Sequence, residues 1–120
     1  MKFFFHPSPN PMKVALLLEE LQTPYELIGV DTFKGEQHLP AFLAINPEGR
    51  VPVLLVDGRA LTEVAGILFY LARRHPEAGL LPSDAELADY YRWLFFAAGP
   101  LEQAVVSRTM GWDVPPDREM

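Results

Sequence analysis

Three histidines, a proline at the head of an apolar strand and the lack of cysteine bound the chemistry open to this sequence. His6, His38 and His75 are too scattered for the helical pair that grips a metal ion, so no metal site is expected. With no cysteine in the chain, a disulfide framework and a cysteine-based redox centre of its own are both excluded. A backbone feature remains. In "INPEGRVPVLLVDG", residues 45–58, the run "VPVLLV" reads as a buried strand, yet its second residue is Pro52. A proline at the first residue of a strand loses no ladder bond, which suits an ordinary trans peptide. A cis Val51–Pro52 bond is the other reading: it turns Val51 out of the sheet and leaves its N–H and C=O to pair with an extended peptide ligand. Spacing alone favours trans, because cis is the minority form even before proline.

The elements that must position these groups follow from periodicity. Lys2 to His6 reads as a short strand, followed by the proline-rich "PSPNP". Asn10 is a good N-cap, Pro11 suits a first helical turn, and Val14, Leu17, Leu18 and Leu21 recur at helical spacing to about Gln22. Thr23-Pro24 stops that helix, and Tyr25 to Val30 returns as a strand, giving a βαβ unit with a parallel strand pair. A polar loop, "DTFKGEQ", leads to a short helical turn from about Leu39 to Ala44. Val53 to Val56 and Arg59 to Leu61 make a hairpin about Asp57-Gly58, a strong type I′ signal. Thr62 caps a helix carrying Val64, Ile67, Leu68 and Leu71 on one face, with Arg73, Arg74 and His75 at its end, where positive charge suits the dipole.

A domain boundary is placed near Leu80 to Ser83, dividing residues 1–81 from residues 82–120. Beyond it Ser83 and Glu86 form a capping box, and a long helix begins with Leu87, Tyr91, Leu94, Phe95 and Ala98 on one face. Gly99-Pro100 should kink or interrupt it, and the tail "GWDVPPDREM" shows no periodicity.

Charge and hydropathy narrow the partners. A net charge of −6 opposes binding to nucleic acid or anionic lipid, which need a basic face. "MKFFFHP" is too short an apolar core for an export signal, and "WLFFAAGPL" is too short to cross a membrane. A soluble, cytoplasmic protein is expected.

The order β-α-β-α-β-β-α, with "SPNPMKVALLLEEL", "PYEL", "KGEQHLPAFLAINPEGRVPVL" and "LTE…ILFYLA" in sequence, resembles the N-terminal domain of glutathione S-transferases. The resemblance runs from Met1 to about Pro82, and less specifically into the helix after Ser83. "SPN…KV" and "KGEQ…FLAINP" look most like the bacterial glutathione transferases that carry Thr-Pro-Asn at the first helix and handle glutathione disulfide bonds. The fold class implied is α/β, a thioredoxin-like β-α-β-α-β-β-α domain followed by the beginning of an all-α domain.

The resemblance also implies a site. Pro52 is then cis, and Val51, next to Arg50, pairs its backbone with the cysteinyl part of glutathione. Glu63 receives the γ-glutamyl amine through a charge-assisted bond, and the N–H groups around Val64 suit the γ-glutamyl carboxylate. Gln37 and His38 meet the glycyl end, with Lys34 a looser candidate. Catalysis in this family makes the glutathione thiolate available at neutral pH, and Ser8 is the first choice for stabilising it, Asn10 the second. Glutathione serves as co-substrate, with no resident cofactor.

Where the family usually carries Glu-Ser or a similar pair, this chain has Glu63-Val64, so one hydroxyl donor to the γ-glutamyl carboxylate is missing, which costs about 1–3 kcal/mol of affinity if that carboxylate is left short of partners. The helical part is also shorter than the family's. The expected activity is attack of glutathione on a hydrophobic electrophile or on a disulfide, in a homodimer. The alternative is an inactive binding or scaffold module of the same fold.

Overall fold

The computed structural model describes residues 1–112; the rest of the tail, expected to lack periodicity, lies outside the described residues. The chain divides into two compact units, Met1–Leu81 and a second that begins at Pro82.

The first unit is organised around "KFFF", strand β1 (Lys2–Phe5). Alternation along a strand sends Phe3 and Phe4 to opposite faces. Phe3 is fully buried with Val14 and Leu18 of helix α1 (Pro9–Glu20) and with Ile67 and Leu71 of helix α3 (Val64–Arg74). Phe4 packs with Val30, Val53 and Phe42, the last from the short helix α2 (Pro40–Leu43). Two helices thus serve one face of the sheet and α2 the other. Each fully buried side chain of this kind contributes about 1.5–3 kcal/mol.

The sheet has the order β2-β1-β3-β4, where β2 is Glu26–Gly29, β3 Val53–Val56 and β4 Arg59–Leu61. β1 runs parallel to β2, with Lys2 opposite Glu26 and Phe5 opposite Gly29. It runs antiparallel to β3, with Phe4 opposite Val53. The β3–β4 hairpin turns at Asp57 and Gly58, whose φ values of 49° and 76° fit the expected type I′ turn.

Helix α1 starts earlier than expected. Its N-cap is Ser8, not Asn10, and the first i to i−4 bond runs from the Met12 N–H to the Ser8 carbonyl at 3.1 Å. Pro9 and Pro11 then both fall in the first turn, where a missing N–H costs no intrahelical bond. At the far end the Gln22 N–H bonds to the Glu19 carbonyl and the Thr23 N–H to that of Leu18. This is a Schellman closure with Gln22 at φ 51°, so the helix ends before Thr23-Pro24 acts. At α3 the cap is Glu63 rather than Thr62, since the first helical bond runs from Ile67 to the Glu63 carbonyl.

In the second unit Ser83 and Glu86 form the capping box, with the Glu86 carboxylate accepting from the Ser83 N–H at 3.1 Å and from its hydroxyl at 2.7 Å. Helix α4 (Leu87–Phe96) follows, then a π-helical stretch, Ala97–Leu101, and helix α5 (Glu102–Thr109). Of the kink or interruption that Gly99-Pro100 predicts, the structure shows no break but a widened helical turn. A proline ring collides with the carbonyl four residues earlier in an α-helix, and the wider turn relieves that contact. Tyr91, Trp93, Phe95 and Phe96 of α4 are exposed.

Candidate functional site

Strand directions collect the candidate residues at one end of the sheet. The C-terminal ends of β1 and β2, which are parallel, lie together, and antiparallel pairing brings the start of β3 and the end of β4 beside them. Ser8 follows β1, the Asp31–His38 loop follows β2, Val51 precedes β3 and Glu63 follows β4. Four connections thus meet where ligands commonly bind in sheets of this kind, beyond the carboxyl ends of strands.

Ser8 is half-buried at the N-terminus of α1, and its side chain makes no capping bond. Its hydroxyl donates weakly to the His6 carbonyl at 3.4 Å. Pro9 and Pro11 supply no N–H, so this helix terminus offers an anion fewer backbone donors than usual, which puts more weight on the Ser8 hydroxyl. Asn10 does not cap; its Oδ1 accepts from Lys13 Nζ at 2.9 Å.

The loop after β2 is held from within. Asp31 Oδ1 accepts from the N–H groups of Phe33 at 3.0 Å and Lys34 at 3.3 Å, and its other oxygen lies 3.4 Å from Lys34 Nζ. Burial alone would raise the Asp31 pKa, but the Lys34 N–H, the Lys34 ammonium and the Phe33 N–H outweigh it and hold the carboxyl below its ordinary value. Lys34 is thereby engaged with Asp31. Glu36 closes the loop by accepting from the Asp31 N–H at 2.7 Å. Gln37 turns its Oε1 into the protein, where that oxygen has no hydrogen-bond partner.

The loop before β3 is organised by Asn46, which is 4% exposed. Its Nδ2 donates to the Arg50 carbonyl at 2.9 Å, and its Oδ1 accepts from the Glu48 N–H at 3.2 Å. Gly49, at φ 64°, packs against Gln37 and His38, so the two loops touch there. The Val51–Pro52 bond is cis, as the family resemblance implies and spacing alone did not. Val51 lies outside the ladder, which begins at Val53, and the Arg50 side chain is exposed.

Glu63 has φ 65° and ψ 116°, a conformation that costs an L-residue energy and that clusters at ligand clamps. Its carboxylate is exposed and makes no cap bond to α3. Val64 is half-buried and packs against the core cluster that contains Phe3, which accounts for an apolar residue there.

Sequence reasoning did not find His6 as a part of this site. The ring is 8% exposed, its Nδ1 lies 3.1 Å from the Val30 carbonyl, and Phe33 packs edge-on against it at 5.0 Å. His6 therefore joins the Ser8 connection to the Asp31–His38 loop. Only its place at the end of an apolar strand marked it. Among the described residues no group of three His, Asp or Glu could hold a metal ion, and no helix is long and apolar enough to cross a membrane.

Comparison with known proteins agrees with this geometry. Residues 3–79 match the family model for the glutathione S-transferase N-terminal domain. The chain is 39% identical over 107 residues to the disulfide-bond oxidoreductase YfcG of Escherichia coli, covering 82% of this chain and 48% of that protein. It is 40% identical over 112 residues to glutathione S-transferase 2 of Schizosaccharomyces pombe, covering 88% and 47%. Among solved structures, a glutathione transferase homologue from Sulfitobacter with bound glutathione superposes with a TM-score of 0.78 at 32% identity, covering 97% of this chain and 58% of that one. Ure2p in complex with glutathione gives 0.71 at 36% identity, covering 82% and 48%. The chain spans about half the length of the curated relatives it matches. With its thioredoxin-like first unit, its cis Val51–Pro52 bond and these relatives, the chain belongs to the glutathione S-transferase family.

Proposed function

We propose that this chain binds glutathione across the loop end of its sheet and activates the thiol for attack on an electrophilic small molecule or a disulfide. One observation carries the reading: the Ser8 hydroxyl is not spent on capping α1, at the same end of the sheet where Val51 leaves the ladder.

In this reading the Val51 backbone pairs with the cysteinyl residue, beside Arg50 and the cis Pro52. Glu63 receives the γ-glutamyl amine, and the N–H groups at Val64 receive the γ-glutamyl carboxylate. Gln37 and His38 meet the glycyl end. Lys34, already paired with Asp31, is the weaker candidate. Ser8 donates its hydroxyl proton to the sulfur, favouring the thiolate, and Asn10, whose amide N–H could donate while its oxygen is held by Lys13, takes second place. A thiol of pKa about 8.5 is only about 3% ionised at pH 7; lowering it by about two units raises the thiolate to roughly three quarters.

Toward a disulfide, the glutathione thiolate attacks one sulfur, the S–S bond breaks, and the other sulfur leaves as a thiolate. A second glutathione thiolate then resolves the mixed disulfide and yields oxidised glutathione. Neither thiol belongs to the protein, which has no cysteine. Similarity to a disulfide-bond oxidoreductase supports including this substrate class. Glutathione is consumed as co-substrate, with no resident cofactor. A homodimer is part of the proposal, a second copy being one way to cover the aromatic residues exposed on α4.

Val64, half-buried against the core, favours a second reading, a module that binds without turnover, since an apolar residue there supplies no hydroxyl to hold the ligand. Calorimetric titration with reduced and oxidised glutathione, followed by turnover of a generic electrophile and of a mixed disulfide, separates the two. Saturable binding with turnover supports the enzyme, binding without turnover supports the module, and a folded chain that binds neither form refutes both.

A further inference from the structure

We infer that Gly49 is a positioning residue that seats the Gln37–His38 turn, and that through it the site distinguishes glutathione from the shorter thiol γ-glutamylcysteine. The inference rests on the proposed glutathione site and concerns which part of the ligand that site reads.

Gly49 is buried and has φ 64°, and a Cβ built on it would stand 3.1 Å from His38 Nδ1, 3.2 Å from the Gln37 carbonyl oxygen and 3.3 Å from His38 Cε1. These approaches are closer than side-chain carbons ordinarily make, so a larger residue requires the His38 ring and the Gln37 carbonyl to give by a few tenths of an ångström. The other side of the contact cannot easily yield. The Gly49 N–H is bonded to the Asn46 carbonyl at 3.0 Å, and buried Asn46 ties down the neighbouring Glu48 and Arg50 backbone. The Gln37–His38 turn, part of a short 3₁₀ segment, Glu36–His38, is braced as well, with the His38 N–H bonded to the Gly35 carbonyl at 3.0 Å, so a Cβ at Gly49 must widen the spacing between the two loops.

Both side chains of that turn carry N–H donors suited to a carboxylate. Val51, two residues after Gly49, would hold the cysteinyl part from the opposite loop. The Gly49 contact then sets the distance between the cysteinyl and glycyl subsites. A ligand that lacks the glycyl residue does not reach the turn and does not sense its position.

The test compares binding of glutathione and γ-glutamylcysteine to the wild-type chain and to Gly49→Ala, by calorimetry. Wild type should favour glutathione. Gly49→Ala should weaken glutathione about tenfold, the loss of one charge-assisted bond, and leave γ-glutamylcysteine within about twofold. Gly49→Asn carries the same Cβ while tolerating positive φ, so it should show the same selective loss and serves if the alanine variant does not fold. Equal weakening of both ligands, or none, with wild type still binding glutathione, overturns the inference alone. Failure of the folded wild-type chain to bind either ligand overturns the glutathione reading and the inference with it.

Discussion

The Thr23 hydroxyl lies 2.9 Å from His75 Nε2, joining the corner between α1 and β2 to the end of α3 across 52 residues of sequence. Glu77 Oε1 stands 3.0 Å from the ring's other nitrogen, so Nδ1 carries a proton and donates to it. In the neutral ring Nε2 then accepts from Thr23. Thr23→Val keeps the shape of a buried side chain and removes that donor, leaving a part-buried nitrogen without its partner. It should lower stability by about 1–2 kcal/mol, read from urea unfolding, whereas Thr23→Ser should retain most of it.

Glu77 gives this link a pH dependence. Its own backbone N–H first, and the His75 ring second, hold the carboxyl below its ordinary value of 4.5. A carboxyl with a depressed folded pKa adds stability above its unfolded value, and that stability is lost as pH falls through the folded one. Glu77→Gln should therefore melt below wild type at neutral pH. The gap should close as the pH falls from 4.5 downward, and a gap that stays constant in acid would assign the effect to something other than this charge.

Ser8→Ala tests the thiolate directly. Loss of a hydrogen bond to a charged group, about 1.5–3 kcal/mol, should raise the apparent pKa of bound glutathione by about one to two units. Ultraviolet absorbance of the thiolate as a function of pH, taken as the difference from the protein without glutathione, reads this with no contribution from a protein thiol. An unchanged pKa would remove Ser8 from the mechanism, and Ser8→Thr should restore the wild-type value.

Gln37 carries a stability cost that its proposed role explains. Its buried Oε1 has no partner, and an unsatisfied buried group of this kind costs about 1–3 kcal/mol. Gln37→Leu should raise the melting temperature while weakening glutathione, the exchange expected at a binding site. A variant that is both less stable and unchanged in binding would place Gln37 in the fold alone.

Much of this was legible in the sequence because it is local. The Asp57-Gly58 hairpin, the helical spacing from Val14 to Leu21 and the Ser83–Glu86 box each depend on residues within a few positions of one another. Helix starts were less legible. Asn10 and Thr62 are good caps by type, but the prolines around Asn10 and the left-handed turn at Glu63 put the caps at Ser8 and Glu63. Least legible were contacts made by folding itself. His6 against Val30, Gly49 against His38 and Thr23 against His75 join segments with no shared periodicity. The cis bond at Val51–Pro52 was read from likeness to a family, since proline spacing favoured trans.

The wide turn at Ala97–Leu101 has a genetic corollary. The Glu102 N–H reaches back to the Ala97 carbonyl, a step of five residues where an α-helix takes four, so this stretch holds one residue beyond what a continuous α-helix needs. Losing the codon for Pro100 would remove that surplus residue together with the ring that calls for the wide turn. The remainder would close as ordinary α-helix with α4 and α5 in their present phase. The same deletion in the middle of α1 would rotate everything beyond it by about 100° and turn Leu18 away from Phe3.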